Sequence, residues 1–107
     1  MDAIQVERSY ERYPVEVCAV VTHPSSFRRI EAELWDLSSG GCRIVTTEPL
    51  NPNDELSVRI QGLESWPARV VWKQLDAVGV TFHYPLHYAV VEHYARLFPA
   101  TEGREEA

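Results

Sequence analysis

From Pro14 to Tyr84 the chain keeps returning to a period of two, an alternation that an extended strand satisfies and a helix does not. Val15, Val17, Val20 and Val21 crowd a first run, Pro14 to Thr22, which ends at the turn cluster His23-Pro24-Ser25-Ser26. Between Phe27 and Leu37, Ile30, Ala32 and Leu34 share one parity and Arg29, Glu31 and Glu33 the other, as in a half-buried strand, until Ser38-Ser-Gly-Gly41 breaks the pattern. Cys42 to Thr47 is a third run. It is closed by Glu48-Pro49-Leu50-Asn51-Pro52-Asn53-Asp54, whose two prolines lack amide donors and do not fit inside a ladder. Leu56, Val58 and Ile60 alternate with Ser57, Arg59 and Gln61 in a fourth run ending near Gly62. Trp66 to Lys73 and Ala77 to Tyr84 supply two more, joined around Leu75-Asp76. Six strands with short connections predict an antiparallel barrel or sandwich. After Pro85 the period changes: Leu86, Val90, Tyr94 and Leu97 fall on one face of a predicted helix, which Pro99 limits.

At 107 residues, 45% hydrophobic and 24% charged, the chain suits one domain with one core. The predicted organisation is a flexible N-terminal arm over residues 1–12, a barrel with its C-terminal helix over 13–98, and a disordered acidic tail over 99–107. A formal net charge of −6 disfavours general adhesion to DNA, RNA or anionic membrane, because the long-range field repels a polyanion. No segment approaches the roughly 18 apolar residues of a membrane span, and the N-terminus lacks a basic-then-apolar signal pattern, so a cytoplasmic protein is expected. Cys18 and Cys42 sit in apolar runs and are expected to be buried, reduced thiols, although their number alone allows a disulfide. His83 and His87 stand four apart, but Pro85 between them breaks the helical geometry that would align two metal ligands. No metal site is expected. No nucleophile elbow or base-to-nucleophile arrangement is visible, so no catalysis is expected either.

Two short motifs carry the chemistry, Arg8-Ser-Tyr-Glu-Arg12 and Asp36-Leu-Ser38-Ser-Gly-Gly41. Paired guanidiniums offer planar forks that match phosphate oxygens or the acceptor edge of a guanine, and a carboxylate matches the donors of its other edge. Together they describe a site for an anionic guanine nucleotide. Taken singly, each has a plainer reading: Arg8 and Arg12 as solvated charges pairing with Glu7 and Glu11, Asp36 and Ser38 as caps of a tight turn.

Arg-x-x-x-Arg followed by Asp-x-Ser-x-x-Gly resembles the PilZ family of bacterial cyclic di-GMP receptors, and the strand runs Glu-Leu-Ser-Val-Arg-Ile, Ala-Arg-Val-Val-Trp-Lys and Val-Gly-Val-Thr-Phe fit it as well. The resemblance covers roughly residues 8–98. It implies a six-stranded antiparallel barrel with a C-terminal helix, holding cyclic di-GMP between the arginine-bearing segment and the barrel surface. Carried across, Arg8 and Arg12 would meet phosphates and the guanine acceptor edge, Asp36 the guanine donors and Ser38 a phosphate or base oxygen, while Gly41 would permit the turn and close approach. Ser9, Gly40, Arg43 and Trp72 are further candidate contacts, Arg43 by adding positive charge and Trp72 by lying beside the ligand. The remaining tryptophans, Trp35 and Trp66, are expected in core or rim packing. No cofactor is implied beyond the ligand, and the partner implied is a downstream protein effector, signalled by an arm that folds over the nucleotide. This sequence departs from many members in carrying Ser9 where they have a second arginine, and Glu7 and Glu11 flank the motif with negative charge. Those departures support the alternative of a PilZ-fold interaction module that binds no nucleotide.

Overall fold

The alternating runs become six strands because each offers one apolar parity to a shared interior. The structure, a computed structural model, describes residues 11–23, 25–26 and 28–100. Strand β1 (Tyr13–His23) turns Val15, Val17, Ala19 and Val21 inward. Around it follow β2 (Arg28–Leu37), β3 (Gly41–Val45), β4 (Glu55–Ile60), β5 (Ser65–Lys73) and β6 (Ala77–Phe82). They close in the order β1-β2-β3-β6-β5-β4, all pairs antiparallel, with β4 returning to β1. The expected barrel is thus what forms, and the sandwich is not.

Because β3 and β4 are not neighbours, the proline-containing segment between them crosses one barrel end, where Leu50 is buried in the core. The other end is covered by helix α1 (Tyr88–Leu97). His87 caps this helix, its Nδ1 accepting from the Ala89 amide at 3.0 Å. Val91 and Tyr94 enter the core, and the Tyr94 hydroxyl donates to the Gln61 carbonyl at 2.5 Å. The chain then returns to β1, where the Glu16 amide donates to Phe98 O at 2.9 Å and Val15 bridges to Pro99.

Several expectations need correction. Leu97 is 57% exposed, and Val91 takes the inward place instead, because the helix starts only at Tyr88 and leaves Leu86 in the lead-in. Leu86 is still buried, its amide donating to Ser39 O at 2.9 Å. Cys42 is buried, but Cys18 is exposed, since Val17 and Ala19 occupy the inward parity of β1. Both thiols are free. Of the arm expected over 1–12 only residues 11 and 12 are described, so Arg8 and Ser9 lie outside the described residues, as do residues 101–107 of the expected tail.

Candidate functional site

Simple alternation along β2 puts Ile30, Ala32 and Leu34 inward and would put Asp36 inward with them. The strand avoids this with a bulge. Leu34 faces Ile44 and Asp36 faces Arg43, so Trp35 is an extra residue and the parity slips by one. Asp36 moves to the outer surface and Leu37 becomes fully buried. The same device recurs on β5, where Val70 faces Val80 and Trp72 faces Gly79, leaving Val71 as the extra residue and turning Trp72 outward. A third irregularity, between Pro14 and Val17 of β1, lies at the level of Asp36, whose partner there is Pro14. The result is an outer row across four adjacent strands, Asp36, Arg43, Gly79 and Trp72. At a strand spacing of about 4.8 Å it spans roughly 14 Å.

At each end of the row the two neighbours are in contact. Arg43 Nε lies 3.0 Å from Asp36 Oδ2, and the Arg43 guanidinium stands 5.5 Å from the centre of the Trp35 ring, a cation–π distance. Trp35 is held in turn by its Nε1–H, which donates to Glu33 Oε1 at 2.8 Å. At the other end the Trp72 indole leans from β5 across β6, lying so close over Gly79 that a Cβ there would come within 2.1 Å of the ring. Beneath the row, burial pushes the Cys42 thiol pKa up, and the nearby Asp36 carboxylate pushes it the same way.

The turn from Ser38 to Gly41 is built on one hydroxyl. Ser38 Oγ accepts from the amides of Gly40 and Gly41, both at 3.2 Å, and donates to Gly41 O at 3.3 Å, while the Ser38 amide donates to Gly41 O at 2.9 Å. Gly40 O accepts from the Phe82 amide at 2.8 Å and from Thr81 Oγ1 at 3.3 Å, tying the turn to the end of β6. Gly41 itself pairs with Thr81, and a Cβ on it would fall 2.1 Å from Val80 O.

Beside this turn is an open cavity of about 300 Å³ lined by Arg12, Ser38, Gly40, Thr81, Phe82 and Pro85. It brings the exposed second arginine of the first motif against two residues of the second. Asp36 and Gly41 adjoin it along the chain without lining it. A family model for the PilZ domain matches residues 7–97, a span that includes both motifs, the whole barrel and the helix. The chain belongs to the PilZ domain family. No curated protein matches it significantly. PilZ domains are in general cyclic di-GMP receptors rather than enzymes, and in this one the motif residues that are described gather at one end of the barrel. Thr81, Phe82 and Pro85 were not among the residues singled out from the sequence, and neither was the supporting role of Trp35 under Arg43. No composition signal marks them; only the closure of β3 on β6 and the bulge in β2 bring them to the site.

Among the described residues no group of three or more His, Cys, Asp or Glu is arranged to hold a metal. Of the two histidines set four apart, His83 Nε2 sits 2.5 Å from Glu55 Oε1 and His87 caps α1, while His23 Nε2 lies 3.5 Å from Asp54 Oδ2.

Proposed function

We propose that this PilZ domain is a cyclic di-GMP receptor that signals to a downstream protein. The observation that supports it most directly is the cavity shared by Arg12, Ser38 and Gly40, where a cation from one motif faces the polar turn of the other. Arg12, with Arg8 from the segment before it, binds phosphate oxygens and the guanine acceptor edge. Asp36 accepts from the guanine donors, and Trp72 offers an outward indole on which a base can stack. Ser38 keeps the turn formed through its accepted hydrogen bonds and redirects its own proton from Gly41 O to a ligand oxygen. Gly40 and Ser9 approach the ligand through their small size, and no turnover of the nucleotide is proposed.

Each charge-assisted hydrogen bond contributes about 1.5–3 kcal/mol, so loss of one arginine should weaken binding about tenfold to a hundredfold. The test is calorimetric titration of the wild type, Arg8→Ala and Arg12→Ala with cyclic di-GMP. Saturable heat that fades in both folded variants supports the receptor and gives the stoichiometry. A wild type that produces no heat and no shift of its amide NMR signals is not a receptor, and the interaction module, with Ser9 and the flanking Glu7 and Glu11 in its favour, takes its place.

A further inference from the structure

A carboxylate that must read guanine needs a fixed orientation, and in this barrel the residue that supplies it is Arg43. The geometry points to Arg43 as a positioning residue: it holds Asp36 ready to accept from the guanine exocyclic amine, and so sets the preference for guanine over a base that lacks this donor. The inference rests on the cyclic di-GMP reading and assigns Arg43 a role distinct from that of a phosphate ligand.

Three observations carry it. First, the β2 bulge places Trp35 and Asp36 together opposite one residue of β3, and that residue is Arg43. Second, the Arg43 side chain is only 11% exposed, with Asp36 at 3.0 Å and the Trp35 ring at 5.5 Å, so reaching a phosphate would mean leaving both. Third, among the described residues the Asp36 carboxylate pairs with Arg43 alone, through Oδ2. The contact is an ion pair rather than a hydrogen bond, since the Arg43 Nε–H is not aimed at Oδ2; its attraction holds Oδ2 against the guanidinium and leaves Oδ1, on a carboxylate with about four lone-pair sites, able to accept. The Glu33 to Trp35 hydrogen bond extends the support outward by one more residue. A site built to accept a particular N–H discriminates against the analogue without it, because the acceptor is then left unpaired.

The experiment crosses protein variants with ligand variants. Wild type, Arg43→Met, Asp36→Asn and the double variant are titrated with cyclic di-GMP and with its hypoxanthine counterpart, cyclic di-IMP, which keeps the phosphates and the ring N–H but lacks the exocyclic amine. The readout is the ratio of the two Kd values, which a general loss of stability or of charge does not move. The wild type should prefer guanine by about tenfold or more, Arg43→Met should lose most of that preference, and Arg43→Met in the Asp36→Asn background should change the ratio no further. Equal weakening of both ligands by Arg43→Met would assign Arg43 to the phosphates and overturn the inference while leaving the receptor standing. A ratio that Arg43→Met leaves untouched overturns it too. If the wild type binds neither ligand, the receptor reading fails and the inference with it. Amide spectra establish folding, and should Arg43→Met not fold, Arg43→Gln is judged by the same ratio.

Discussion

A methyl group on residue 41 would sit 2.1 Å from a backbone oxygen of β6, a contact that no side-chain rotation can relieve. Gly41 is therefore a requirement of the barrel before it is a requirement of any ligand. Gly41→Ala should cost about 1–3 kcal/mol, as overpacking does, seen as a thermal midpoint lower by about 4–8 °C per kcal/mol. A melting curve unchanged from wild type would show that β3 and β6 can part without cost. Loss of binding in a Gly41 variant says little about contact unless this fold effect is measured beside it. Residue by residue, the sequence was most legible where chemistry and parity agreed, as in Val15, Val17, Leu34 and Val58, all buried as their alternation predicts. It misled at Cys18, whose neighbours made the whole run look apolar although its own parity faces outward.

Among the elements, the strands themselves followed from alternation and turn signals, but their order of closure and the bulges did not. An extra residue in a strand leaves no compositional mark, and Trp35 and Val71 read like any other strand residues. Yet these two insertions bring Asp36 and Trp72 to the surface. The helix shows a similar limit: its period was visible, but it begins only at Tyr88, so Leu86 falls outside it, and Val91 with Tyr94 is buried while Leu97 is exposed. The β5 bulge can be tested through the glycine that Trp72 covers. Gly79→Ala should push the indole off the sheet, shifting the Trp72 indole N–H signal and destabilising the barrel by about 1–3 kcal/mol, with the backbone register kept. An unmoved indole signal would mean that the ring does not lie over residue 79.

For the molecule as a whole, closure gives every strand two partners, so the barrel presents no open sheet edge. Stability should respond to alkali through the core. Burial raises the Cys42 pKa above its ordinary 9.0, so the folded state keeps the thiol proton where the unfolded state loses it. The contribution is complete below about pH 9 and falls above it by about 1.4 kcal/mol per pH unit. Tyr94, raised above its ordinary 10.0 by burial, acts in the same direction at higher pH. Urea midpoints compared between about pH 9 and pH 10 should decline more steeply in the wild type than in Cys42→Ala; parallel slopes would mean that the thiol ionises alike in both states. The family and the fold are both legible in the sequence, while the support of Asp36 by Arg43 and Trp35 is not, because it depends on register. One last consequence concerns traffic through the domain. Val15 bridges to Pro99, so the polypeptide enters and leaves the barrel side by side, on the strand that begins just after Arg12. Labels or protein modules attached before and after the barrel would start out as close neighbours at the end that carries the Arg12 cavity, and an event there would reach both attachments at once.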